Sequence, residues 1–127
     1  MASERERMKY EGEELAVRME RFGGNVARIC DELPATRSGK HVQDQLLRAG
    51  TAVGAHYSEA QGAQSRGDFV HKLSLSLKEA REARHWLGVS YYAGYASGEE
   101  LDIEGLRSEA TQVVAILQAA QRTARDG

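Results

Sequence analysis

The sequence contains one cysteine and one proline among 127 residues. A single cysteine, Cys30, excludes an intramolecular disulfide framework and the paired-cysteine knuckles that hold zinc. β-Branched residues are also scarce, with 8 valines, 3 isoleucines and 4 threonines, which is too few for a sheet-rich fold. These shortages favour an all-α protein.

Long hydrophobic runs and a strong excess of charge are absent too. No apolar stretch approaches the ~18 residues of a membrane span, and the opening MASERERMKYEGEE lacks the apolar core of a signal peptide. The net charge of −2 is far from the excess that keeps chains disordered. We therefore expect a cytoplasmic protein with no membrane contact. Because leucine, isoleucine, valine and phenylalanine are few, we also expect its core to be supplemented by contact with other copies.

Four stretches place apolar residues at the three- and four-residue steps of an amphipathic helix. The first two are predicted from about Glu13 to Leu33 and from about Lys40 to Gln61. Capping-box patterns, Ser65–Asp68 and Ser97–Glu100, predict where the third and fourth begin. Four helices of about 20 residues joined by short loops indicate an antiparallel up-down-up-down four-helix bundle. Its predicted extent is residues 13–125, preceded by a frayed segment at 1–12.

Small residues interrupt the first two apolar patterns. Gly23 and Gly24 lie in the middle of the first predicted helix, where either two backbones approach closely or the helix bends. Gly50, Gly54 and Ser58 recur every four residues along the second helix, a spacing that lets a neighbouring helix come close.

The third helix carries a second stripe opposite its main one. Leu75, Glu79, Glu82 and Trp86 follow each other at steps of four, three and four, on the side away from the leucines of the main stripe. Carboxylates within a buried stripe need basic partners, because an unpaired buried charge is costly. The nearest candidates are Arg48, Arg81 and Arg84. Two interpretations remain: a subunit interface, or a solvated face on which a half-buried tryptophan covers a loop.

Motifs that carry chemistry are incomplete. Glu82 and His85 form one Glu-x-x-His pair, but a di-iron bundle requires a second such pair and two further glutamates. Cys30 lies at the edge of an apolar stripe, where a buried, inert thiol is expected. No glycine-rich phosphate loop occurs. We therefore expect no enzymatic activity, no cofactor and no metal site.

Nucleic-acid binding is the alternative that the basic residues leave open. The third helix carries Arg66, Lys72, Lys78 and Arg84, and a ring of subunits would repeat them into a band of phosphate contacts. The sequence pI of about 6.1 argues against this alternative, as does the chance that several of these cations pair with neighbouring glutamates.

The middle of the chain resembles the four-helix-bundle proteins named after the 23S rRNA intervening sequence, over about residues 14–122. The resemblance is carried by four stretches in combination, which are QLLRAGTAVGA from Gln45, SEAQGAQS from Ser58, DFVHKLS from Asp68 and KEAREARHWL from Lys78.

This resemblance implies a closed antiparallel bundle that assembles into a ring-shaped homopentamer. It also implies a kinship with the accessory variability determinant of diversity-generating retroelements, a pentamer that binds a reverse transcriptase and nucleic acid. A packing and ion-pair network is expected at the residues that match the family's recurrent polar and aromatic positions, which are Arg48, Glu59, Glu79, Arg81, Glu82 and Trp86.

The chain departs from the family pattern at His56–Tyr57, where Asn-Ile is common, and at Ala83, where threonine is common. The accessory determinant is also markedly basic, whereas this chain is slightly acidic. The sequence thus predicts a non-enzymatic, homo-oligomeric scaffold or adaptor whose partners are its own copies and a protein such as a reverse transcriptase. The alternative is a nucleic-acid-binding accessory to a reverse transcriptase or to rRNA processing.

Overall fold

The computed structural model describes residues 4–95 and 102–127, with side chains from residue 14 onward. Within these ranges the chain forms four α-helices and no strand. The helices are α1 (Glu4–Glu32), α2 (Arg37–Gln61), α3 (Arg66–Tyr92) and α4 (Ile103–Asp126). Each helix packs against the next, and α4 returns to pack against α1, so the bundle is closed. The predicted all-α four-helix bundle is confirmed.

The first helix begins at Glu4, so helical backbone covers most of the segment predicted to be frayed, 1–12. The prediction relied on apolar periodicity, which begins only at Leu15. The preceding stretch is rich in glutamate, arginine and lysine, whose straight side chains lose little rotamer freedom in a helix. Helix propensity therefore extends α1 beyond its apolar stripe.

The apolar stripes meet in one core. Among the described residues, 23 hydrophobic side chains are buried there, from all four helices and from Leu33 just after α1. The predicted stripes of α2 and of the first half of α4 are buried throughout. At the end of α3, Tyr91 is 44% exposed. It lies in the last turn of α3, where the Arg107 guanidinium packs over its ring at 5.5 Å.

Glycines let α1 and α2 approach closely. Gly50 is buried, and a Cβ added there would lie 2.6 Å from a methyl group of Val26. Gly23 is also buried, with the backbone of α2 3.6 Å from the position of its missing Cβ. α1 continues unbroken through Gly23 and Gly24. The tight contact between the two helices therefore lies at Gly50, whereas a Cβ at Gly23 would be in ordinary contact with α2.

Polar side chains fix where the later helices begin. Ser65 caps α3 by accepting a hydrogen bond from the Asp68 amide at 3.1 Å, as its capping box predicts. Asp102 caps α4, accepting from the Gly105 amide. The box predicted at 97–100 lies outside the described residues, and α4 begins later than that pattern indicates.

Candidate interface on the outer surface of the third helix

The second stripe of α3 lies at the outer seam between α3 and α2. We call its four residues, Leu75, Glu79, Glu82 and Trp86, the Trp86 face. Leu75 and Trp86 are half-buried, and Glu79 is only 9% exposed. A single chain thus covers this face in part, with both apolar side chains still reaching the surface.

An arginine from α2 joins the two carboxylates of this face. Arg48 Nη1 lies 3.1 Å from Glu79 Oε2, and its Nη2 contacts Glu82 Oε1. The indole Nε1 of Trp86 donates to the same Glu82 oxygen at 3.5 Å. These donors, Arg48 above all, hold the pKa of Glu82 below its ordinary value of 4.5, and burial only partly opposes them. The nearly buried Glu79 therefore has its cation within the same chain.

Two histidines pack edge-on against Trp86. The His41 ring from the start of α2 lies 5.5 Å from the indole, and the His85 ring lies 5.0 Å away, both close to perpendicular. Edge-to-face contacts of this kind orient an aromatic ring in addition to burying it. The sequence analysis missed His41 because it precedes Trp86 by more than a full helix.

Glu59 does not join the cluster around Arg48. It lies farther along the same seam and pairs with Lys72, whose Nζ is 3.0 Å from Glu59 Oε2. This hydrogen bond and the charge of Lys72 lower the pKa of Glu59. His56 adds a weaker contact at 3.8 Å. Lys72, a predicted phosphate ligand, is thus already paired with a carboxylate.

Arg66 is also engaged within the chain. Its guanidinium donates to the carbonyls of Ala124 at 2.7 Å and Arg125 at 3.2 Å, in the last turn of α4. A cation at this position satisfies free carbonyls and complements the helix dipole. Of the four predicted phosphate ligands, Lys78 and Arg84 alone make no such bond within the described residues.

Arg81 and Arg84 make no ion pair with the acids of the Trp86 face in the described part of the chain. They line a groove of about 900 Å³ between α3 and α4. We call this the arginine groove; it is lined by Arg81, Arg84, His85, Gly88, Val89, Tyr92, Ala93, Arg107 and Thr111. Three arginines and a histidine contribute to its lining, which contains no carboxylate among the residues that the structure describes.

Arg107 and the tyrosines at the end of α3 form a packed group beside this groove. The Arg107 guanidinium carbon lies 5.5 Å from the Tyr91 ring centre and 5.4 Å from that of Tyr92. The two tyrosine rings meet edge-on at 5.2 Å, and Tyr92 is 79% exposed. The sequence analysis missed this group because Arg107 belongs to another helix.

No cluster of three or more metal-ligating side chains occurs in the parts of the chain that carry described side chains. His85, half of the Glu-x-x-His pair, packs against Trp86. Cys30 is buried, and desolvation raises the pKa of its thiol to about 11. Its sulfur lies 3.7 Å from the Gln43 carbonyl, to which it can donate.

A family model described as 23S rRNA-intervening sequence protein matches residues 14–119. The chain belongs to this family. The resemblance recognised in the sequence is therefore confirmed. Among curated proteins, none matches the chain. No helix among the residues that the structure describes is long and apolar enough to cross a membrane.

A solved structure shares the fold. It is a crystal structure of a protein from Bacteroides thetaiotaomicron VPI-5482, described as of unknown function and from the S23 ribosomal protein family. Its sequence is 28% identical, the TM-score is 0.77, and the match covers 87% of this chain and 97% of the other. The two proteins thus share one bundle architecture despite extensive sequence change.

Proposed function

We propose that this family member is a non-enzymatic scaffold that assembles with copies of itself through the Trp86 face. The observation that carries the proposal is the combination of half-buried Leu75 and Trp86 with a nearly buried, ion-paired Glu79 on an outward surface. An ordinary solvated helix face carries neither a stripe of large apolar residues nor a carboxylate so removed from water.

The distribution of the contacts supports this role. Trp86 packs in part against the core, whereas Leu75 does not belong to the core packing. Leu75 therefore gains most from burial against another subunit. The acids beside it are paired with Arg48, so a neighbouring copy can cover them without leaving a carboxylate unpaired.

The assembly we propose is the ring-shaped homopentamer that the family resemblance implies. Light scattering after size-exclusion chromatography should then give about 70 kDa, five times the subunit mass of 14.0 kDa. A mass near that of one subunit at micromolar concentration would overturn the assembly.

Leu75→Glu is the variant that tests the face. It places a charge in the proposed interface without removing a core side chain, so we expect a smaller mass with unchanged helical circular dichroism. Leu47→Glu is the matched control, because Leu47 is a 43% exposed leucine on α2 outside the Trp86 face. If both variants dissociate the protein equally, the Trp86 face is not the specific contact.

Trp86 provides a second measurement because it is the sole tryptophan. Dilution through the dissociation range should shift its fluorescence to longer wavelength as the indole becomes exposed to water. An emission maximum that stays constant while the mass falls would place the contact elsewhere.

A second candidate function is nucleic-acid binding, as an accessory to a reverse transcriptase or to rRNA processing. One observation favours it: the arginine groove brings Arg81, Arg84 and Arg107 together, with no carboxylate in the described part of its lining. The test is binding of labelled RNA and DNA across a salt series, since phosphate contacts weaken steeply as salt rises. Absence of binding even at 20 mM salt would remove this candidate.

A further inference from the structure

We infer that the arginine groove is a site for single-stranded nucleic acid, with phosphates on its arginines and an unpaired base on Tyr92. The inference rests on the second candidate function and adds to it the form of the ligand and the residues that hold it. It follows from the charge, the exposed aromatic ring and the shape of this one surface.

The local charge of the groove is opposite to that of the whole chain. The net charge is −2, yet residues 83–95 and 110–125 contain no aspartate or glutamate. The acids that border these two stretches are engaged elsewhere, Glu82 with Arg48 and Glu109 with Arg18. Glu104, three residues before Arg107 on α4, is exposed and does not belong to the lining of the groove. A polyanion in the groove therefore meets three guanidinium groups, each of which can make bidentate bonds to phosphate.

Arg107 is positioned by aromatic contacts that leave its hydrogen-bond donors available. It rests over Tyr91 and Tyr92, and its guanidinium has no hydrogen-bonding partner among the residues that the structure describes. It lies beside Gly88, where an added Cβ would be in ordinary contact, 3.6 Å from Arg107 Nε. An arginine oriented by aromatic rings keeps its N–H groups available to a ligand.

The exposed ring of Tyr92 favours binding of a single strand over binding of a duplex. Its ring is 79% exposed, at one end of the groove and next to the cation. An exposed ring binds a base by stacking, which requires a base that is not already covered by its neighbours in a duplex. From Arg81 to Tyr92 the groove follows α3 for about 16 Å, enough for a few nucleotides.

The test is fluorescence anisotropy with a labelled 20-nucleotide RNA, the corresponding DNA strand, and the duplex formed from that DNA. We expect both single strands to bind more tightly than the duplex. Three phosphate contacts per subunit predict that affinity for a single strand falls about 20-fold between 50 and 200 mM salt.

Tyr92→Ala should weaken single-strand binding about 5-fold or more, because it removes the ring on which one base stacks. Tyr92→Phe should restore it, since the ring is retained. Arg84→Gln should weaken binding and lower the salt slope by about 0.7. Lys72→Gln is the control of equal charge change, because Lys72 is paired with Glu59 farther along α3; it should leave the affinity unchanged.

The outcomes separate this inference from the function on which it rests. If no nucleic acid binds at low salt, both fail. If single strand and duplex bind equally and Tyr92→Ala has no effect, nucleic-acid binding stands and the stacking site is wrong. If Lys72→Gln weakens binding as much as Arg84→Gln, the contact is spread over the surface and the groove is not the site.

Discussion

Gly50 and Gly24 occupy opposite environments although both lie within helices. A Cβ at Gly50 would meet the methyl groups of Val26 at 2.6 and 2.7 Å, whereas nothing lies within 4 Å of one at Gly24. In Gly50→Ala, overpacking should cost about 1–3 kcal/mol and exceed the gain in helix propensity. Gly24→Ala should stabilise the protein by about 0.5–1 kcal/mol.

Urea unfolding of the two variants measures both effects on one scale. Equal stabilisation by the two alanines would show that the α1–α2 contact is looser at Gly50 than the structure has it. Both variants add the same methyl group, so the difference between them isolates the packing.

Arg48 makes the stability of the protein depend on pH. Since the pKa of Glu82 is lower in the folded chain than its ordinary 4.5, the pair stabilises the fold above that value. This contribution is lost as pH falls through the depressed pKa. Arg48→Gln should therefore destabilise the protein at pH 7, and its difference from the wild type should shrink below about pH 4.

Thermal unfolding between pH 7 and pH 3 checks the shape of this difference. NMR titration of the Glu82 carboxyl should show its pKa rising toward 4.5 in the variant. Lys40→Gln removes an equal charge at an exposed site, so its difference from the wild type should stay small and flat. A constant difference for Arg48→Gln would mean that the ion pair does not control the titration.

At the scale of one helix, the start of α3 depends on a single hydroxyl. Ser65 accepts the amide of Asp68, and its β-region backbone is that of an N-cap. Ser65→Ala should cost about 1 kcal/mol in the free energy of unfolding. Ser58→Ala, at an exposed position inside α2, should be neutral or slightly stabilising because alanine is the better helix former.

Chemical denaturation of both variants gives the comparison. If Ser65→Ala and Ser58→Ala change the free energy of unfolding equally, the hydrogen bond at the N-cap contributes nothing beyond helix propensity. Circular dichroism at low temperature should show no loss of helix in either variant, since tertiary packing holds α3 in place.

The helices could be predicted from the sequence because their apolar stripes are regular, but their ends could not always be. Met19, Phe22 and Val26 follow the helical period and are buried as expected. The start of α1 carries no stripe and is helical through propensity. The N-cap of α4 is Asp102, whose side chain accepts a hydrogen bond from the Gly105 amide in the first turn.

The candidate site was predictable only where one helix determines it. Spacing along α3 places Glu79 and Glu82 on the side of Trp86, and burial then requires a cation. Which arginine supplies it depends on the position of α2, which no pattern within α3 contains. Arg81, expected in the same network, instead lines the arginine groove between α3 and α4.

At the scale of the whole molecule, the mean charge conceals how charge is arranged. The pI of about 6.1 argues against a polyanionic ligand, but residues 66–97 carry five basic and three acidic side chains, while residues 98–127 carry three and six. Two of the acids on α3 are paired with Arg48, whose single charge offsets one of theirs. A basic groove and an acidic chain are therefore compatible, because attraction to a phosphate depends on charges within about a Debye length.

Assembly and nucleic-acid binding should reinforce each other. A homo-oligomer presents one arginine groove per subunit, so a strand long enough to reach two grooves binds the second at a high effective concentration.

Leu75→Glu leaves every groove residue in place but separates the subunits. We expect it to weaken binding of a 40-nucleotide strand by 10-fold or more, by analogy with linked sites in general, and to leave binding of a 6-nucleotide strand unchanged. Anisotropy titrations with the two lengths decide the matter. An equal loss for both would mean that Leu75 supports the groove directly, and no loss for either would mean that the grooves of one assembly act independently.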